Sequence, residues 1–359
     1  MKSNRWLFEY FLIVFCIILG MIICVVYYDP YFHYHSPNEK FYYNLKNERS
    51  QNDGIIRNFD YDAIITGTSM TENFKVSQAN DLFNIKAIKV CFAGGTYREI
   101  DDNLKKAFEV NKNIKIVIRG LDCGYLFDDK DEIRNDLGDY PEYLYDDNIF
   151  NDVSYILNRD VIFDWCLPAY KAYLSGKDGG VADFDMYSNW MEGEKFGAEA
   201  VLGDNVTFGD MSGKEKELTE EDKAIIYENI TQNVIQLAED NPNTTFYYFF
   251  TPYSIAWYAG CYQRGELERQ LNAEAYATSM MLKCDNIKLF SFNNETEIIT
   301  NLNNYKDSTH YGEWINSWIL ESMKEEYDLL TPENCEEYLD KERNFYLNYE
   351  YKSLYQHGK

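Results

Sequence analysis

Histidine is scarce in this chain of 359 residues, with four in all, and that scarcity narrows the search for acid–base chemistry. His33 and His35 follow an apolar N-terminal run and His357 stands almost at the C-terminus, which leaves His310 for the interior of a folded domain. It lies in Lys306-Asp307-Ser308-Thr309-His310-Tyr311, just ahead of an amphipathic pattern. An Asp and a His three apart can meet at a helix start or turn, so that the carboxylate accepts the imidazole Nδ1–H and leaves Nε2 as a base. The plainer reading of the same residues is a helix N-terminus capped by Asp307 or Thr309. The nucleophile to match such a base is Ser69, in Ile64-Ile65-Thr66-Gly67-Thr68-Ser69-Met70-Thr71, where an apolar run gives way to a turn. A hydroxyl at a strand end projects into a cleft, and the N–H groups that follow can receive a developing oxyanion. The alternative is a Gly-Thr-Ser turn whose hydroxyls cap the next helix. The order Ser, Asp, His differs from that of chymotrypsin, and Thr71 breaks the G-x-S-x-G elbow of α/β-hydrolases.

Residues this far apart can meet only if the fold brings them together. Runs at 62–68, 85–93, 114–122, 244–252 and 286–292 are short, apolar and rich in β-branched or aromatic side chains, the pattern of buried strands. Helical patterns at 99–110, 220–239, 266–283 and 311–327 alternate with them. Alternation of this kind predicts parallel βαβ crossovers, hence an α/β three-layer αβα sandwich around a mainly parallel sheet of about five strands. The expected organisation is an N-terminal membrane anchor over 1–28, a stalk over 29–60, a domain over 61–330 with an inserted lid at 125–218, and an acidic tail over 331–359. Ligands bind beyond the carboxyl ends of strands in open α/β sheets, so an insertion leaving the third strand is placed to shape a pocket. The alternative is a packing appendage.

Three short motifs in this order carry a resemblance. Gly67-Thr68-Ser69 at the end of the first strand, Gly94-Gly95 after the second, and Asp307-x-x-His310 before the last helix resemble blocks I, II and V of SGNH/GDSL-type hydrolases, over about residues 62–327. With an apolar N-terminus, the chain looks most like the membrane-anchored extracytoplasmic branch that includes the D-alanyl teichoic acid transfer protein and polysaccharide O-acetylation proteins. The resemblance implies Ser69 as nucleophile, His310 as base and then acid, Asp307 as its orienter, and Gly95 or Gly94 as an oxyanion-hole donor beside the Ser69 N–H. Two blocks depart from the pattern. Block I reads G-T-S in place of G-D-S, and block III, G-x-N-D in the family, reads Gly120-Leu121-Asp122-Cys123. An ionised Asp122 has no hydrogen to donate; burial could protonate it, or it could accept hydrogen bonds or pair with Arg119, leaving Asn73 or Arg119 as donor. Tyr253 and Trp257, after the fourth strand, are candidates to stack on a sugar, or else an aromatic turn on the core. The implied activity is that of a serine esterase or O-acyltransferase on cell-envelope polysaccharide or teichoic acid, working beside a multi-spanning membrane acyltransferase. The alternative is an inactive glycan-binding or scaffolding module of the same fold.

Composition agrees with an envelope setting. Sixty Asp and Glu outweigh 34 Lys and Arg, for a net charge of −26, which disfavours nucleic acid as a partner. Residues 6–28 carry one charge, Glu9, and can cross a hydrocarbon core of about 30 Å. Lys2 and Arg5 precede that run and Asp29 follows it, so the positive-inside bias places the remainder outside the cytoplasm. A cleaved signal peptide is the competing reading, although no small-residue cleavage site closes the run. The eight cysteines show no CxxC or zinc-ligand spacing, and neither a metal nor a cofactor is expected.

Overall fold

Six short strands in the second of two structural units place the candidate residues. The computed structural model describes residues 3–134, 136, 140–203, 209 and 215–355, and the chain divides into one unit of Met1–Asp60 with Asn135–Asp183 and another of Tyr61–Arg134 with Phe184–Lys359. In the latter, β1 (Ala63–Thr66), β2 (Ala87–Lys89), β3 (Ile116–Leu121), β4 (Thr245–Phe250), β5 (Ile287–Ser291) and β6 (Leu329–Leu330) form one sheet in the order β2-β1-β3-β4-β5-β6. The first five are parallel and β6 runs antiparallel to β5. The protein is thus α/β with a mostly parallel sheet. Strand β4 shows why its run is apolar throughout. Tyr247 and Phe249 pack on Phe83 and Phe74, while Phe246 packs on Phe108 and the Tyr248 hydroxyl reaches the Val234 carbonyl. Successive residues of a strand point to opposite faces, so helices cover both. Helices Val76–Phe83 and Glu313–Lys324 lie together on one side, and Tyr97–Val110 with the π turn Thr231–Ile235 on the other.

Local chemistry sets several boundaries. Thr96 and Glu99 form a reciprocal capping box that starts Tyr97–Val110, and Thr219 with Asp222 does the same for Glu220–Ile230. The single helix expected over 220–239 is interrupted at 231–235, where the Asn233 carbonyl accepts a bond from Arg119 at 2.7 Å. Part of the expected acidic tail is a helix, Cys335–Asn348, with Glu342 and Tyr346 buried. Glu342 shares the Asn293 amide with buried Glu274, at 3.0 Å from each, a pairing of distant polar residues that hydrophobic periodicity does not register.

The first unit corrects the expected stalk and lid. Helix Ser3–Tyr28 ends with Val25 and Tyr28 buried, and Asp29, in a left-handed conformation, accepts bonds from the His33, Tyr34 and His35 N–H groups and the Tyr155 hydroxyl. Tyr42–Tyr43 pairs in parallel with Gly180–Val181. Residues 29–60 are therefore folded together with 135–183, and the stretch expected as one insertion is divided between the two units. A two-residue strand pair 138 positions apart leaves no pattern in sequence.

Candidate active site

Strand β1 delivers Ser69 through a turn that only glycine can begin. Gly67 has φ of +144°, and a Cβ there would lie 2.7 Å from the Thr71 Oγ1. Past it, the Thr71 N–H and hydroxyl both donate to the Thr68 carbonyl, at 3.0 and 2.8 Å, and the Met70 N–H donates to the Thr68 Oγ1. The next helix begins at Val76 with Lys75 at its N-cap, so the Gly-Thr-Ser hydroxyls do not cap it. Asp307 likewise caps no helix; Gly312 holds that position for Glu313–Lys324. Instead the Asp307 Oδ1 accepts bonds from the Thr309 N–H at 2.9 Å, the His310 N–H at 2.8 Å and the Thr309 hydroxyl at 3.1 Å. This turn is closed by the Lys306 N–H bonding the His310 carbonyl.

These two turns meet, 241 residues apart in the chain. The Ser69 Oγ lies 2.8 Å from the His310 Nε2, and the His310 Nδ1 lies 2.7 Å from the Asp307 Oδ2. The His310 side chain is 26% exposed, so a reactant can reach the pair from solvent. Burial opposes the Asp307 carboxylate, but the His310 side chain and the surrounding N–H groups outweigh it and hold its pKa well below the ordinary carboxylate range. A carboxylate that stays ionised keeps Nδ1 protonated and Nε2 free to accept the serine proton.

Comparison with protein-family models, curated proteins and solved structures finds no match to this chain. The geometry alone carries the reading of the site.

The remaining expected residues divide. Asp122 is buried and accepts hydroxyl bonds from Thr68 at 2.6 Å, Tyr253 at 2.6 Å and Thr251 at 3.1 Å. Burial pushes its carboxyl up from the ordinary value, and the three hydroxyls pull part of that back. With donors on both oxygens it is an acceptor, which corrects the oxyanion-donor assignment. Arg119 is wholly buried, its guanidinium between the Tyr97 and Tyr248 rings and bonded to the Asn233 and Tyr97 carbonyls. It points away from Asp122 because residues three apart on a strand face opposite ways, and it is no substrate ligand. Tyr253 is also buried, with its hydroxyl on Asp122 and its ring 4.9 Å from that of Trp257, so it packs the core and offers no face to a sugar. Trp257 is half-buried between Tyr253 and Tyr258.

The Gly95 N–H is donated to the Phe92 carbonyl at 2.7 Å, which removes it as an oxyanion donor in this conformation. The Gly94 and Ser69 N–H groups have no acceptor among the described residues. Asn73 is fully buried, its Oδ1 accepting the Trp190 N–H at 3.1 Å while its Nδ2 has no acceptor among the described residues.

Trp190 itself escapes sequence reasoning. Its indole N–H donates to the Ser69 carbonyl at 3.0 Å, its ring stands edge-on to His310 at 5.6 Å, and the Lys306 Nζ lies 4.0 Å from the ring centre. It belongs to an irregular stretch, 184–197, and the only signal for it was a tryptophan in a polar segment.

Proposed function

We propose that the protein is a membrane-anchored serine esterase or O-acyltransferase of SGNH type, acting on acyl esters of cell-envelope polysaccharide or teichoic acid. The observation that carries this reading is the continuous chain Ser69 Oγ, His310 Nε2, His310 Nδ1, Asp307 Oδ2. In the proposed reaction Ser69 attacks the ester carbonyl as His310 takes its proton, and His310 returns that proton to the departing alcohol. Water or a sugar or polyol hydroxyl then attacks the acyl-enzyme, with His310 as base again. The Ser69 and Gly94 N–H groups and the Asn73 amide are the donors left for the oxyanion. A sheet covered by helices on both faces fits the SGNH-like sandwich. The apolar N-terminal helix, whose last turns are built into folded protein, fits a retained anchor with the remainder outside the cytoplasm. The partner in this reading is a multi-spanning acyltransferase that supplies the acyl group across the membrane.

The second reading, an inactive glycan-binding or scaffolding module, is favoured by one observation: Asp122 stands where the family's donor asparagine would be, and it accepts. The test uses the full chain in detergent, because Val25 and Tyr28, in the last turn of the N-terminal helix, are buried in folded protein. The expected result is release of p-nitrophenol from its acetate, lost in both Ser69→Ala and His310→Ala, with a fluorophosphonate probe mapping to Ser69. Parent-like turnover in Ser69→Ala refutes the triad, and an inert, folded parent leaves the binding module.

A further inference from the structure

The first unit carries an apolar surface that its own core does not use. The segment after Asn148 has exposed Ile149 and Phe150, at 72% and 87%, and the helical stretch that follows exposes Phe163, Leu167 and Leu174, the last at 82%. In the π turn Val161–Cys166 and the helix Leu167–Leu174, positions 163, 167 and 174 recur at helical spacing and form one stripe. Residues Val161, Ile162, Cys166 and Ala169 on the same stretch are buried. Burying one apolar side while exposing another calls for a second apolar medium.

The N-terminal helix says which medium. The Tyr170 hydroxyl donates to the Cys24 carbonyl at 3.1 Å, the Tyr170 ring meets the edge of Tyr28 at 6.4 Å, and Trp165 packs on Tyr31 at 5.3 Å. At about 1.5 Å rise per residue, Cys24 lies roughly 28 Å along the helix from Arg5, against a hydrocarbon thickness of about 30 Å. The stretch that holds Cys24 and Tyr28 is therefore at the depth where the bilayer's acyl region ends. Tyr27 and Tyr173, both half-exposed, and Lys40, whose ammonium bonds the Tyr27 hydroxyl at 3.1 Å, have the amphipathic character of side chains at that boundary.

We propose that residues 149–174 form a second, monotopic membrane contact, with Phe163, Leu167 and Leu174 inserted among the lipids of the leaflet where the N-terminal helix emerges. The occupant is the lipid bilayer. The contact rests on the reading of that helix as a retained anchor, and it holds the unit against the membrane in place of a swinging tether.

The test is photo-crosslinking of the full chain in phospholipid vesicles, with Phe163→p-benzoylphenylalanine, Leu167→p-benzoylphenylalanine and Leu174→p-benzoylphenylalanine, and the same substitution at exposed Tyr227 in the other unit as the control. Alkaline carbonate is applied first, and mass spectrometry follows on the retained protein. The expected result is a mass shift of one phospholipid at 163, 167 and 174 and none at 227. Protein stripped by carbonate overturns the anchor and this contact together. Retained protein with no lipid adduct, with equal adducts at 227, or with adducts to a second copy or another polypeptide overturns this contact alone.

Discussion

Asp307→Asn separates orientation of the base from every other property of the site. Three donors converge on the Asp307 Oδ1, namely the Thr309 N–H, the His310 N–H and the Thr309 hydroxyl, and an amide oxygen can keep all three. They fix the rotamer, so the amide nitrogen must take the place of the Oδ2, 2.7 Å from the His310 Nδ1. A donor there requires an unprotonated Nδ1, and the ring proton moves to Nε2, facing the Ser69 Oγ at 2.8 Å. The imidazole then donates to the serine it is meant to deprotonate. The same exchange in serine proteases lowers kcat by about 10⁴, a barrier increase of about 5.5 kcal/mol. Stability should fall by only about 1 kcal/mol, since the turn's bonds survive without their charge. The acid side gives a second signature. The parent carboxyl ionises below its unfolded range, so the stability it contributes is present at neutral pH and lost as pH falls through and below about 3.9; the variant lacks that acid loss. The assay is the rate of Ser69 modification by a fluorophosphonate, alongside melting curves. A folded Asp307→Asn protein that labels as fast as the parent refutes the assignment of Asp307 as orienter.

Three further changes probe the support around the triad. Trp190→Phe keeps a ring beside His310 but removes the N–H on the Ser69 carbonyl; a lost bond of about 1 kcal/mol should slow Ser69 labelling about fivefold, read by the same probe. Tyr253→Phe takes one of three hydroxyls from buried Asp122 and should cost about 1–3 kcal/mol, measured as a lower urea midpoint at unchanged m-value. Burial raises both Glu274 and Glu342, so the folded state keeps protons that the unfolded state releases, and stability should fall as pH rises from the ordinary glutamate range toward neutrality. Glu342→Gln should flatten that fall and raise the melting temperature at pH 8 relative to the parent, as scanning calorimetry would show.

What the sequence made legible follows from which forces are local. The five parallel strands were readable because each is largely buried and rich in apolar residues, with only Lys89, Arg119 and Lys288 as charged interruptions. The Asp307 turn was readable because both partners lie within four residues, although the capping alternative could be dismissed only when Gly312 proved to hold the N-cap. The elements that went unread are held by distant partners. Strand β6 has two residues and exists through its pairing with β5, and helix Cys335–Asn348 docks through a buried carboxyl pair with no apolar stripe to announce it. Tyr253 and Trp257 were candidates to stack on a sugar, whereas Tyr253 and many of the largest wholly buried side chains are tyrosines whose hydroxyls find interior acceptors, Tyr97 on the Asp122 carbonyl and Tyr305 on that of Pro252 among them. Composition counts rings without saying which way they face.

In the proposed SGNH reading, the two positions at which the sequence departs from the family's pattern are neighbours in space. Thr68 stands where the resemblance would put the acid of G-D-S and Asp122 where it would put the asparagine of G-x-N-D, fifty-four residues apart, and the two side chains touch, with the Thr68 hydroxyl donating to the Asp122 Oδ2 at 2.6 Å. A Thr68 hydroxyl that donates to Asp122 also accepts the Met70 N–H, so the pair braces the backbone on both sides of Ser69. Removing the Thr68 hydroxyl would leave the buried Asp122 Oδ2 without that donor, at a cost of about 1–3 kcal/mol. In the proposed reaction the Asp122 side chain, engaged in holding the turn of Ser69, gives nothing to the oxyanion, which falls to the Ser69 and Gly94 N–H groups and the Asn73 amide.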